Sequence, residues 1–363
     1  MRNLRVVAAA VFCAGLAGCG SGGVQPQPGG SGTQSGAEVA ASTSEVSFVV
    51  DGTTTYGTLE VPAHREGAHL AAALLIAGSG PTDRDGNQPP SVTPDTLRQI
   101  ADALGGMGIM SLRFDKYFTG RTGAGSYASD PGSVDLNAYI RQADGAYQLL
   151  SAQPAADHQR LLVVGHSEGG LYALLVAETV PQHPAGLALV EPQDERILDL
   201  VALQINEYLD AQVAQGAITA DTARQNAQGV RQAVAQFRAR QPVTTTGLLP
   251  PVVAMLTPII LTPANARVTL TDDAIDPAAY AAKLPRGIRV LVTDGTADRN
   301  IPPATIKPLI DGLTAAGTTG PGLQILTGID HDLNPAGTQP NGAPLDPAFL
   351  TALRNWAQPY TSR

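Results

Sequence analysis

Six consecutive residues, Gly165-His166-Ser167-Glu168-Gly169-Gly170, constrain this chain more than any others. They follow an apolar run, Leu161 to Val164, and precede Leu171-Tyr172-Ala173-Leu174-Leu175-Val176-Ala177, which suits a helix. A strand, a glycine-flanked serine and then a helix make a nucleophile elbow, a strained turn that a flanking side chain would crowd. The helix behind it points its first N–H groups, and the positive end of its dipole, at negative charge developing on the serine side. A bare G-x-S-x-G match is common by chance; the strand before it and the helix after it give this one its meaning.

A serine hydroxyl is a weak nucleophile and needs a base that a third group orients. Behind an elbow of this kind the order along the chain is Ser, then Asp or Glu, then His. The sequence has 6 histidines, so elimination works. His64, His69, His158 and His166 precede Ser167, and His183 lies between the elbow helix and the next strand, ahead of any acid. His331 remains, in the loop Thr327-Gly328-Ile329-Asp330-His331 after the strand Leu323 to Leu326. The acid is expected after the strand Ile288 to Val292; Asp298 is the preferred residue and Asp294, nearer the strand, its competitor. The oxyanion site would take the backbone N–H of Glu168 and a second N–H from the loop after the strand Ala71 to Ala77. There Gly78-Ser79-Gly80 permits close approach, making the Ser79 amide the candidate and Gly80 the fallback.

The rest of the pattern alternates strands and helices. A hairpin is expected over Glu45 to Val50 and Thr54 to Val61 with Asp51-Gly52 at its turn, then helices over Thr93 to Leu104 and Leu136 to Leu150. Strands are expected at Met110 to Phe114 and Gly186 to Val190. Alternation of this kind implies an α/β fold, a mostly parallel sheet with helices on both faces. Residues 193–285 interrupt it with two Ala-, Gln- and Val-rich helices and a Pro- and Thr-rich stretch holding apolar patches. This insertion reads as a cap over the substrate, leaving 43–192 and 286–363 as the core. Asp83-Arg84-Asp85-Gly86-Asn87 begins like a calcium loop, but Pro94 stands where a bidentate Glu is needed, so it reads as a polar turn with an internal Arg–carboxylate pair. Arg113 to Tyr117 reads as structural charge beside the pocket.

The first 18 residues carry a short basic region (Arg2, Arg5), an apolar run from Val6 to Leu16, and small residues before Cys19. That run is too short to span a bilayer and has the marks of a cleaved export signal. The stretch Leu16-Ala17-Gly18-Cys19 resembles a bacterial lipobox, which implies lipidation of Cys19, membrane anchoring through the acyl chains and an extracytoplasmic location. Residues 19–42 are mostly Gly, Ser, Pro, Gln and Thr and read as a flexible tether. The remaining cysteine, Cys13, would leave with the signal, so neither a disulfide nor a thiolate metal site is expected. A net charge of −9 and the lack of any basic run past the leader argue against nucleic acid as a partner class.

Together the elbow, the Gly78 to Gly86 loop, Leu112-Arg113-Phe114-Asp115-Lys116, the Gly295 to Asp298 loop and the Gly328 to His331 loop resemble the α/β-hydrolase superfamily. The closer likeness is to its serine aminopeptidase-like or dienelactone hydrolase-like bacterial branch. The resemblance implies an α/β-hydrolase fold with a helical cap and a Ser167–His331–Asp298 triad cleaving carboxylic esters, small-molecule or lipid, through an acyl-enzyme, without cofactor or metal. One departure is Ala77, which stands where relatives often carry a histidine before the glycine. Two other readings are kept: an exopeptidase, with Glu207 or Asp210 binding a substrate amine, and a non-catalytic envelope-binding lipoprotein.

Overall fold

A computed structural model describes residues 37–339 and 341–361. The export signal and Cys19 therefore lie outside the described residues. The strands of the main sheet are β1 (Ser42–Val50), β2 (Thr53–Val61), β3 (Leu70–Ile76), β4 (Met110–Phe114), β5 (Ala156–His166), β6 (Gly186–Val190), β7 (Arg289–Gly295) and β8 (Thr319–Leu326). The main helices are α1 (Thr96–Gly105), α2 (Leu136–Ser151), α3 (Glu168–Thr179), α4 (Ile197–Ala214), α5 (Ala220–Arg238), α6 (Pro250–Leu256), α7 (Ala266–Asp273), α8 (Pro277–Ala281), α9 (Lys307–Ala316) and α10 (Pro347–Ala357).

The eight strands pair in the order β8-β7-β6-β5-β3-β4-β2-β1. β3 to β8 run parallel, while β2 is antiparallel to both β1 and β4. This is the α/β-hydrolase fold. The β1–β2 turn needs positive φ at both loop residues, and Asp51 (φ 50°) and Gly52 (φ 76°) supply it. Strand periodicity divides the apolar side chains between two cores. Ala72, Leu74 and Ile76 face α2, α3 and α9, while Ala71, Ala73 and Leu75 face α1 and α10. Each fully buried leucine here contributes roughly 2 kcal/mol by leaving water.

Three boundaries differ from the sequence-based expectation. Ser42 already pairs with Val61, and Glu38–Val39 pairs with His64–Arg65, so bonded backbone begins inside the stretch read as a tether. β8 starts at Thr319 rather than Leu323, because a register irregularity between Thr319 and Gly322 absorbs the Gly-Pro-Gly that looks like a turn. β7 runs on through Asp294 to Gly295, which puts Asp294 inside the strand.

The insertion between β6 and β7 carries α4 to α8 and has a core of its own, built on Leu198, Ile205, Val230, Phe237, Val252 and Leu256. It is fastened to itself through Asp273, which accepts from the Leu198 N–H at 3.2 Å and from Arg238 Nε at 2.8 Å. Among the described residues no single helix is long and apolar enough to cross a membrane. In register, Gly165 pairs with Ile76 and His166 with Val190, so the turns leaving β3, β5 and β6 meet at one edge of the sheet. Strand order reverses next to β5, the place where open α/β sheets leave a crevice.

Candidate active site

Ser167 occupies the turn between β5 and α3 with φ 58° and ψ −126°, a conformation strained for any residue with a side chain. Its backbone is latched on both sides. The Ser167 N–H donates to the Val190 carbonyl at 2.9 Å, and its carbonyl accepts from Gly170 at 2.8 Å and Gln193 at 3.0 Å. The flanking glycines have no substitute. A Cβ on Gly165 would sit 1.9 Å from the Gly169 carbonyl oxygen, and one on Gly169 would sit 2.2 Å from that of Ile76. Since backbone blocks both, Gly165→Ala is expected to destabilise the fold by about 3 kcal/mol or more, lowering the melting temperature by roughly 5–10 °C. Thermal unfolding followed by circular dichroism checks this; a shift under 2 °C would show that the turn relaxes around the methyl.

His331 and Asp298 meet from the loops after β8 and β7. His331 Nδ1 lies 2.7 Å from Asp298 Oδ2, and Asp298 Oδ1 accepts the N–H groups of Asn300 (2.7 Å) and Ile301 (2.9 Å). The carboxylate is thus acceptor-only and fixes the imidazole with Nδ1–H toward it. Burial disfavours the charged imidazole, but the Asp298 hydrogen bond and charge outweigh it and hold His331 above its ordinary value. His166 is fully buried next door, its Nε2 donating to the His331 carbonyl at 2.8 Å. Burial, then the proximity of His331, pushes His166 down to about 4, so it stays neutral and acts as a fixed prop. Asp294, the competitor for the acid, points elsewhere: its Oδ2 is buried without a partner, and burial raises the carboxyl to about 6.

Sequence reading passed over Glu191, at the exit of β6. Its carboxyl accepts from the Gly295 N–H at 2.6 Å and the Thr293 hydroxyl at 3.0 Å, directly behind the acid loop. Burial, reinforced by the Asp298 charge, pushes its pKa up to about 8. An unfolded chain would release that proton near the ordinary 4.5, so this group's stabilising contribution fades as pH rises from 4.5 to 8. Glu191→Gln, which cannot titrate, is expected to match the wild type near pH 5 and to melt several degrees higher at pH 8. Equal melting temperatures at both pH values would rule out a neutral Glu191.

The loop after β3 approaches the elbow so closely that a Cβ on Gly78 would lie 2.9 Å from Ser167 Cβ and 3.4 Å from Ser167 Oγ. Among the described residues the N–H groups of Ser79 and Glu168 have no partner within the protein. The polar turn that follows is tied to the loop after β4. Arg84 pairs with Asp115 at 2.7 Å and Asp85 with Arg113 at 2.8 Å. The expected Arg–carboxylate pair internal to the Asp83 to Asn87 turn is therefore replaced by two pairs that cross to β4 (Arg113) and to the loop after it (Asp115). Asp83 instead accepts from the Asp85 and Asn87 N–H groups, both at 2.9 Å, which closes the turn. Among the described residues no group of three His, Cys, Asp or Glu side chains is placed to hold a metal ion.

A cavity of about 420 Å³ takes in Ser167, His331, Ser79 and Glu168, with Leu200 and Ile259 of the insertion among its walls. A second space of about 500 Å³ adjoins it through Ser79, Glu168, Ile197 and Ile259 and is lined by Tyr139 and Tyr172. Glu207 and Asp210, the carboxylates an exopeptidase would need, lie exposed on α4 and line neither space. In their place Asp272 of α7 lines the second one, an acid without any motif around it to mark it.

No family model matches the sequence, and no curated protein matches it either. Solved structures do resemble it. A Pyrococcus furiosus esterase superposes with a TM-score of 0.55 at 12% identity, over 88% of this chain and 91% of that one. Est1E from Butyrivibrio proteoclasticus with ferulic acid bound gives 0.54 at 12% identity, over 87% of this chain and 98% of that one. A Klebsiella pneumoniae protein named as a dienelactone hydrolase gives 0.50 at 14% identity, over 88% and 100%. At such identities the likeness is one of fold.

Proposed function

We propose that this protein is a serine hydrolase that cleaves carboxylic esters through an acyl-enzyme. The observation that carries the reading is a serine strained at the exit of a central strand, in one cavity with a histidine whose Nδ1 is held by a buried aspartate. Ser167 Oγ attacks the ester carbonyl carbon while His331 Nε2 takes its proton, and Asp298 stabilises the resulting imidazolium. The carbonyl oxygen becomes an oxyanion facing the Ser79 and Glu168 N–H groups. As the tetrahedral adduct collapses, the C–O bond to the leaving alcohol breaks and His331 returns the proton to that oxygen. Water, deprotonated by His331, then attacks the acyl-enzyme, releasing the acid and restoring the Ser167 hydroxyl.

The apolar wall from the insertion and the aromatic second space favour a substrate with a hydrophobic acyl or alkyl group. The lipobox-like segment and the tether add to this reading an extracytoplasmic enzyme held to a bacterial membrane by lipid on Cys19. The placement of Glu207 and Asp210 away from Ser167 weighs against an exopeptidase. A fluorophosphonate probe tests the chemistry: it is expected to label the wild type and to leave Ser167→Ala unlabelled. Equal labelling of the two proteins would remove Ser167 from the reaction. Nitrophenyl esters set against aminoacyl anilides separate esterase from peptidase, with appreciable turnover expected on the esters alone.

A further inference from the structure

We propose that Lys116 is a positioning residue that holds and polarises the oxyanion site, acting on both of its amide donors at once. The inference rests on the reading of Ser79 and Glu168 as those donors. Lys116 leaves the end of β4 and its side chain is only 3% exposed. Its Nζ donates to the Gly78 carbonyl at 2.5 Å and to Glu168 Oε2 at 3.3 Å, between the faces of Tyr139 (5.9 Å) and Tyr172 (5.5 Å). A buried ammonium gains little stability from such pairing over an apolar residue of the same volume, so its place calls for another account.

The Gly78 carbonyl and the Ser79 N–H belong to one peptide unit. That unit is planar and trans, so the two groups point in opposite directions. Fixing the oxygen on Lys116 turns the N–H away from the lysine, and Gly78 lies so near the nucleophile that a Cβ there would come within 3.4 Å of Ser167 Oγ. A positive charge on the carbonyl oxygen also draws electron density through the amide, making the N–H a stronger donor. On its other side the lysine grips the Glu168 side chain, and the Glu168 N–H is the second donor. On its far side Asp272, which accepts from Gln193 Nε2 at 3.0 Å, has its carboxyl raised well above the ordinary range, first by burial and then by the Glu168 charge beside it.

The lysine is itself held from both chain directions. Asp115 before it accepts from the N–H groups of Arg84 (3.0 Å) and Arg121 (2.8 Å), and the Tyr117 N–H after it donates to Gln142 Oε1 at 2.9 Å. Ser79 is pinned in turn by the Thr82 hydroxyl, which donates to its carbonyl at 2.7 Å. The two motifs that sequence analysis assigned to a polar turn and to structural charge thus frame one amide.

The test compares Lys116→Met and Lys116→Gln with wild type on nitrophenyl esters from acetate to octanoate, with folding checked by circular dichroism. In either variant kcat is expected to fall roughly 10- to 100-fold, less than for loss of an oxyanion donor itself, with KM within about twofold. The loss should be the same at every acyl length, since all these esters share one oxyanion. Affinity for a trifluoromethyl ketone, which forms the same tetrahedral oxyanion on serine, should fall in parallel. A folded variant of either kind with kcat within threefold of wild type, or a loss that grows with acyl length or appears in KM, overturns the proposal. If neither variant folds, a purely structural role for the lysine is the result and the proposal falls. A wild type that turns over no ester removes the underlying hydrolase reading instead.

Discussion

Ser167→Ala is expected to reduce nitrophenyl butyrate turnover by roughly 10^6-fold, down to what the oxyanion site and substrate binding alone sustain. The expectation follows from position. The serine is held at positive φ between the end of β5 and α3, and a Cβ on Gly78 would fall 2.9 Å from its own Cβ. Stability should hardly change, because among the described residues the Ser167 hydroxyl makes no hydrogen bond and the backbone bonds to Val190, Gly170 and Gln193 survive the change. Progress curves at high enzyme concentration, with melting temperature as the control, measure both. A folded alanine variant keeping more than about 1% of the wild-type rate would end the acyl-enzyme mechanism.

Asp298→Asn is the second large effect, a fall in kcat of roughly 10^4. An asparagine can keep the loop bonds to Asn300 and Ile301 by offering its oxygen there, but it then turns an N–H toward His331 Nδ1. The imidazole must answer with the wrong tautomer, leaving Nε2 protonated and unable to take the Ser167 proton. The pH profile carries independent information. Protonated His331 cannot act as base, so wild-type kcat/KM should rise with pH around a midpoint above 6.5, the side to which Asp298 shifts the group. The residual activity of the asparagine variant should rise around a lower midpoint. Asp294→Asn, by contrast, should leave kcat within a few-fold, because that side chain reaches neither the histidine nor the serine cavity. An Asp294 variant as damaged as the Asp298 one would reverse the assignment.

Much of this arrangement is legible along the chain. β4 carries its identity in the alternation Met110-Ser111-Leu112-Arg113-Phe114, β6 in a short apolar run, and the hairpin turn announces itself through Asp51-Gly52, residues that tolerate positive φ. Ser167, Asp298 and His331 are each recognisable because a loop of distinctive spacing follows a recognisable strand. The pairings that the sequence does not show share a different character. Lys116 and Gly78 are 38 positions apart, and Glu191 and Gly295 are 104 apart. No local pattern marks such pairs, since their meaning arises only when neighbouring strands bring their exits together. Asp272 was invisible for the same reason, lying in an insertion whose helices carry no motif. β8 begins four residues ahead of the expected Leu323, because pairing with β7 carries the strand through an irregularity at Gly320-Pro321-Gly322 that no apolar run marks.

The separate core of the insertion has an evolutionary consequence. Residues such as Leu200 and Ile259 shape the entrance from elements whose packing is settled among themselves, away from the sheet that aligns the nucleophile. Lineages could therefore remodel what enters this crevice, by exchanging volume inside that layer, without disturbing the proton path beneath it. Selectivity and reactivity are thereby free to diverge at different speeds.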